Sequence, residues 1–348
     1  MGLSDASDSR LELLRRWVTE DLGFADGRIE PASADASFRR YFRLTRDSDS
    51  FIVMDAPPAR EDVRPFVRVA RLMHDLGLNV PVVLASDVDR GLLLLTDLGS
   101  RLYLEDLDAG REVDRLYGDA MAALARLQSG GGHAARGLPA YDREYLVREM
   151  QLMPRWFLET HLRLDLSGQE RQLLEETFDA LAREAQAQPQ TFVHRDYHSR
   201  NLLVCEPGSP GIIDFQDAMH GPVTYDLVSL LKDCYVAWPA ERVRDWALGH
   251  RAALLEAGFA LPGDARDFLR WFDLMGLQRH IKVLGIFARL YHRDGKPGYL
   301  KDLPRVLEYV GAAAAAHPQT HAFGEFVARR VAPQFALAQA REPAAASP

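Results

Sequence analysis

Two aspartates, an asparagine and two histidines stand within one short stretch whose polar residues are framed by apolar runs. It reads Thr191-Phe192-Val193-His194-Arg195-Asp196-Tyr197-His198-Ser199-Arg200-Asn201, then Leu202-Leu203-Val204. A turn at Pro207-Gly208-Ser209-Pro210-Gly211 leads back into Ile212-Ile213-Asp214-Phe215. The pattern predicts a run entering the core, a polar loop, and a hairpin whose return ends in Asp214. That geometry brings Asp196, Asn201 and Asp214 to one edge of a buried hairpin. Two acids and an amide make a hard oxygen site, which suits Mg²⁺ bridging phosphates. Two other readings stand beside it. One is a surface hairpin with polar turns. The other is a metallohydrolase site, because His194-x-Asp196-x-His198 has ligand-like spacing, although zinc sites usually show more His or Cys.

The elements that must carry this stretch follow from periodicity. Leu11, Leu14, Val18 and Leu22 have helical spacing over Arg10–Leu22, with Ser9 as the N-cap. Phe38–Leu44 and Phe51–Met54 read as a hairpin around Asp47–Ser50. Alternation puts Phe38, Phe42 and Leu44 on one strand face and Arg39, Tyr41 and Arg43 on the other. A helix over Val63–Leu76 ends at Gly77. Val82–Ala85 and Leu92–Leu95 form a second strand pair. After Gly99 helices dominate: Glu112–Gln128, Arg143–Leu162, Gly168–Ala187, Ala240–Ala257, Asp264–Arg293 and Leu303–Ala315. Gly130-Gly131-Gly132 reads as a helix end and loop, and the Ala- and Pro-rich end as frayed. Gly276 and Gly285 allow either close backbone approach or simple packing tolerance. The expected class is α+β. A small sheet-bearing part spans 1–95, a large helical part 96–335, and a disordered tail 336–348.

Composition narrows the function. Of 348 residues, 47% are apolar and 26% charged, as in globular proteins. The net charge of −8 argues against a non-specific nucleic-acid grip. No run approaches the ~20 apolar residues of a membrane span, and no secretory pattern is visible. Gly2 hints at myristoylation, but Ala6 stands where Ser or Thr is needed. Two cysteines, Cys205 and Cys234, make no disulfide framework, so a reducing cytoplasm is expected. Oligomeric state is not encoded in any of these features.

His194-Arg195-Asp196 with Asn201 matches the H-R-D-x-x-x-x-N spacing, and Ile213-Asp214-Phe215 stands where D-F-G would. The chain thus resembles the protein-kinase-like superfamily, which implies a bilobal fold with a small sheet and a large helical part. Gln216 in place of glycine, with His198, points to its aminoglycoside-phosphotransferase-like branch. Ala34–Arg43, Met54-Asp55-Ala56-Pro57-Pro58 and Phe215-Gln216-Asp217-Ala218 look like the bacterial anomeric amino-sugar kinases. The resemblance spans roughly positions 10 to 330. It implies ATP and Mg²⁺ as cofactors. It also implies transfer to the C1 hydroxyl of N-acetylmuramate and N-acetylglucosamine in peptidoglycan recycling.

The resemblance assigns Asp196 to the acceptor hydroxyl proton, Asn201 and Asp214 to the metal, and His194 to bracing the loop. Thr96, Asp97 and Leu98 fall at the connector that offers backbone groups to adenine. Departures are visible too. The Ser33–Ser37 loop has no glycine, so it relies on small residues, backbone N–H groups and the Ser37 hydroxyl. Met54 occupies the strand-lysine position. Arg43, beside Tyr41, is the candidate replacement, and a solvated arginine is its alternative. A muramate carboxylate wants an arginine, with Arg155 and Arg279 as candidates. Glu149, His198 and Gln216 are candidates for sugar contacts. Rival readings are an aminoglycoside, choline-like or homoserine-like kinase, and a non-catalytic nucleotide-binding protein.

Overall fold

The structure, a computed structural model, describes residues 3–34 and 38–341. The chain divides into two compact units, Met1–Leu102 with Leu202–Asp217, and Tyr103–Asn201 with Ala218–Pro348.

In the first unit, helix α1 (Leu3–Arg16) runs into a π-helical turn, Trp17–Asp21. Leu14, Trp17 and Val18 share one face and bury against Phe42, Leu44, Val53, Leu92 and Leu94. Those last five come from an antiparallel sheet of β1 (Arg28–Ala34), β2 (Arg40–Arg46), β3 (Asp49–Asp55), β4 (Val83–Asp87) and β5 (Leu92–Thr96), in the order β1-β2-β3-β5-β4. Edge strand β1 was not anticipated. Its Pro31 lowers the strand signal but is tolerated at an edge, where the register slips between Pro31 and Ser33.

Helix α2 (Arg64–Asp75) buries Phe66, Val69, Ala70 and Met73 and stops before Gly77, whose φ of 72° suits glycine. The hairpin Leu202–Leu203 with Gly211–Ile212 joins this unit. Val204 N–H donates to the Arg101 carbonyl and Ile212 N–H to the Asn79 carbonyl, each at 2.8 Å. One expectation is corrected. Phe42 and Leu44 face the core, but Phe38 lies before the strand, is 57% exposed and is covered by the Arg60 guanidinium at 4.9 Å.

The second unit is mostly helical: α3 (Tyr103–Asp108), α4 (Val113–Ala135), α5 (Arg143–Met150), a π-helical segment Met153–His161, α6 (Gly168–Gln186), α7 (Tyr225–Leu231), α8 (Ala240–Glu256), α9 (Ala265–His292) and α10 (Leu303–Ala316). Two starts are written locally. Ser167 with Glu170 and Asp264 with Asp267 close reciprocal capping boxes on α6 and α9. Strands Gln190–Val193 and Met219–Pro222 pair antiparallel.

Three expectations are corrected here. Helix α4 continues through Gly130-Gly131-Gly132. Thr191 donates its hydroxyl to the Gln128 carbonyl at 2.7 Å, and the adjoining strand lies against this half of the helix. Tertiary contacts thus outweigh glycine's poor propensity. The Arg143–Leu162 helix is broken after Met150, where Pro154 removes a backbone donor. At the tail, helix continues to Arg341, while 342–348 lie outside the described residues. The α+β class stands.

Candidate functional site

Helix α9 explains why polar residues can sit at the centre of the second unit. Every residue from Leu274 to Gly285 is buried, including Gln278, Arg279, His280 and Lys282. Burying charges is costly unless they are paired, and these are. Lys282 Nζ lies 3.0 Å from Glu149 Oε1 and donates to Tyr225 Oη at 3.0 Å. Arg279 Nη1 donates to the Arg195 carbonyl at 2.9 Å and to Tyr225 Oη at 3.1 Å. Arg195 Nη2 donates to Glu149 Oε1 at 2.7 Å, and the Tyr141 hydroxyl donates to Glu149 Oε2.

Asp196 faces this network. Its Oδ1 is 3.9 Å from Arg279 Nη2, and 40% of its side chain is exposed. Burial by itself raises its pKa, but Arg279 and Lys282, then His198 and Arg195, reverse the sign and hold the carboxyl down at about 2. Asp196 is therefore ionised throughout the neutral range. The residue before it, Arg195, has φ of 81°, a left-handed conformation that costs a non-glycine about 1–3 kcal/mol. Asp226 holds it there. Its carboxylate accepts the His194 N–H at 2.6 Å and the Arg195 N–H at 2.9 Å. Burial dominates over those two donors and drives the Asp226 pKa up to about 7.

The loop is pinned at further points. Tyr197 Oη donates to the Ala120 carbonyl at 2.8 Å. Ser199 donates its N–H at 3.1 Å and its hydroxyl at 2.5 Å to Asp233. Asn201 Nδ2 donates to the Asp196 carbonyl at 3.0 Å. His194 accepts the Asp196 N–H at Nδ1, 3.3 Å away, and braces the loop. His198 is edge-on to Tyr235 at 5.5 Å. Its Nδ1 is buried with no partner among the described residues, and burial lowers its pKa.

In the first unit, Asp214 also adopts a left-handed conformation, φ 64°. Its Oδ1 accepts from Gln216 Nε2 at 3.0 Å and lies 3.3 Å from Arg39 Nη2. Phe215 packs on Phe66 at 4.8 Å, which fixes the following turn. Arg43, the candidate substitute for the strand lysine, is tied to Asp97 through Nε at 2.6 Å. Asp97 also takes the Ser50 hydroxyl and, at 2.9 Å, the Gly99 N–H. Burial raises the Asp97 pKa, but Arg43, Ser50 and Gly99 bring it below its ordinary value. Arg39, not Arg43, is the arginine beside Asp214. Thr96 exchanges bonds with Val82, its N–H donating at 3.0 Å and its hydroxyl accepting at 2.9 Å. The Leu98 carbonyl accepts the Cys205 thiol at 3.3 Å. Tyr41, half-buried on β2, pairs in register with Met54. Ser37 lies outside the described residues.

Among the acceptor candidates, the structure joins Arg279 and Glu149 to Asp196 in one network, with both Glu149 oxygens already engaged. Arg155 is exposed on the π-helical segment with its guanidinium 5.1 Å from the Trp156 ring. Its described contacts include no member of the Asp196 network. Sequence reasoning missed Asp226 and Lys282. Their signal was present, since each is one charge inside an apolar run, Leu227-Val228 following the first and Ile281 and Val283 flanking the second. Among the described residues no group of three or more His, Cys, Asp or Glu could hold a metal ion. The His194 and His198 pair therefore has no zinc-like cluster around it. Taken singly, the carboxylate of Asp214 and the amide oxygen of Asn201 are donors of the chemistry that hard cations prefer.

Comparison with known proteins gives this geometry a context. Residues 28–272 match the model of the phosphotransferase enzyme family (APH). The chain is 46% identical over 333 residues to an N-acetylmuramate/N-acetylglucosamine kinase of Pseudomonas aeruginosa, covering 93% of this chain and 97% of that protein. A protein of the same name from Neisseria meningitidis is 42% identical over 301 residues, covering 85% and 89%. The fold is similar to that of a Plasmodium vivax ethanolamine kinase, with TM-score 0.63, 11% identity and 90% of each chain covered. With the family model and these relatives spanning most of its length, the chain belongs to the phosphotransferase enzyme family.

Proposed function

We propose that this protein is an ATP- and Mg²⁺-dependent kinase that phosphorylates the anomeric hydroxyl of N-acetylmuramate and N-acetylglucosamine, the sugars of peptidoglycan recycling. The observation that carries the reading is the 46% identity over nearly the whole of a kinase named for those sugars.

Asp196 orients the C1 hydroxyl and accepts its proton as the bond to phosphorus forms. A carboxylate held at about pKa 2 is a weak base. That suffices for a loose transition state, in which positioning and charge neutralisation dominate, and for an anomeric hydroxyl more acidic than an ordinary alcohol. Asn201 and Asp214 supply the oxygen donors for Mg²⁺, which neutralises phosphate charge when bound. Arg39 takes the place of the absent strand lysine, and residues 96–98 offer backbone groups to adenine.

Incubation with each sugar and ATP, followed by phosphorus NMR, tests the reading. A phosphate on C1 is expected, and a phosphate on C6 overturns the anomeric assignment. Asp196→Asn should cut turnover by about 10²–10⁴-fold with an unchanged circular dichroism spectrum. Retained turnover removes Asp196 from its role.

A further inference from the structure

The two acceptor sugars differ at one place. N-acetylmuramate carries a lactyl ether carboxylate where N-acetylglucosamine has a neutral hydroxyl. A protein that takes the acid well needs an arginine with donors to spare. Arg279 has committed Nη1 to the Arg195 carbonyl and Tyr225, and its charge faces Asp196. Arg155 also lies over an aromatic ring, that of Trp156, but on an exposed segment whose described contacts include no member of the Asp196 network.

Arg200 is different. It lies on the pinned loop, four residues after Asp196 and next to Asn201. Its guanidinium carbon sits 3.8 Å from the Tyr235 ring centroid and 5.9 Å from that of Tyr299. Phe287 backs both rings, at 6.4 and 5.1 Å. Among the described residues Arg200 makes no ion pair and no side-chain hydrogen bond. Asp302 and Tyr235 feel its charge without pairing with it. A guanidinium laid on an aromatic face keeps its N–H edges open and already oriented, the arrangement that receives a carboxylate through two parallel bonds. Tyr235 also meets the edge of His198 at 5.5 Å, whose Nδ1 is buried and has no hydrogen-bond partner among the described residues. A buried polar atom left without a partner is costly in a closed protein and cheap where a polar ligand supplies the bond.

Resting on the function proposed above, we infer that Arg200, held flat on Tyr235, is the specificity residue that binds the lactyl carboxylate of N-acetylmuramate.

The test is the ratio of kcat/KM for N-acetylmuramate to kcat/KM for N-acetylglucosamine, measured in wild type, Arg200→Gln and Arg200→Lys. The ratio should fall by about 10- to 100-fold in Arg200→Gln, as expected for loss of a charge-assisted pair, and the fall should appear in KM rather than kcat. Arg200→Lys should recover part of it, since the charge remains and the fork does not. A ratio within about 3-fold of wild type in Arg200→Gln overturns the inference while leaving the proposed function standing. If Arg200→Gln does not fold, the lysine variant decides in the same way. A wild-type protein that phosphorylates neither sugar overturns the proposed function and this inference with it.

Discussion

Glu149 accepts from Tyr141, Arg195 and Lys282 at once, and so is in direct contact with two of the three cations around Asp196. Burial pushes its pKa up, and Lys282 and Arg195 bring it down below the ordinary carboxylate range. Removing one partner from such a buried group leaves charges uncompensated, at a cost of about 3–5 kcal/mol. Glu149→Gln should therefore lower the unfolding free energy in urea by about 3 kcal/mol or more. A loss below about 1 kcal/mol shows that Tyr225 and solvent satisfy Arg195 and Lys282 without it. The H-R-D-x-x-x-x-N spacing was legible because catalytic-loop chemistry is written in consecutive residues. Asp226, 30 positions downstream of Asp196, was not, because nothing local ties it to the two backbone amides it holds.

At the scale of elements, α9 packs its backbone directly on the start of the π-helical segment. A Cβ on Gly285 would stand 2.4 Å from the Leu152 carbonyl carbon and 2.5 Å from the Met153 nitrogen. Gly276 is unlike it, since its added Cβ would meet Lys232 Cδ at an ordinary 3.5 Å. Of the two readings of these glycines, close backbone approach holds at Gly285 and packing tolerance at Gly276. Gly285→Ala must separate the two elements and should destabilise by about 1–3 kcal/mol, the range for overpacking a tight core. Gly276→Ala should stay within about 1 kcal/mol, since the added Cβ meets only ordinary contacts. Equal midpoints for the two variants in thermal melts contradict this account. The periodicity that located α9 could not reveal the contact, because glycine spacing is the same whether the neighbour is solvent, side chain or backbone.

For the molecule as a whole, acid sensitivity comes from buried neutral histidines. Burial lowers His250 to about 4, with Nε2 2.9 Å from Gln128 Oε1. It lowers His280 to about 3, with Nε2 2.9 Å from the Lys232 carbonyl. A depressed folded-state pKa gives stability that is present above the unfolded value near 6.5 and is lost as pH falls toward the folded one. Asp226, raised to about 7, acts oppositely, because the unfolded state releases its proton first as pH rises. His198 is lowered by burial in the same sense and Asp302 is raised like Asp226, so three histidines stand against two aspartates and the unfolded state binds more protons between about pH 4.5 and 6. Thermal midpoints should fall over that interval, and His250→Gln or His280→Gln should flatten the slope. A midpoint that rises on acidification refutes this balance.

What the sequence determined by itself is what adjacent residues can encode. That includes the polar loop from His194 to Asn201, the return to Asp214, the capping boxes of α6 and α9, and the alternation that sends Phe42 and Leu44 into the core. These are short-range patterns, readable from spacing. The tertiary structure alone decided which charges meet. It gave Arg43 to Asp97 and Arg39 to Asp214, joined Glu149 to Arg195 and Lys282, and carried α4 through three glycines against their propensity. Each is a contact between residues distant in sequence, or a local preference outweighed by burial. Such energies depend on where the chain returns, which no local pattern records.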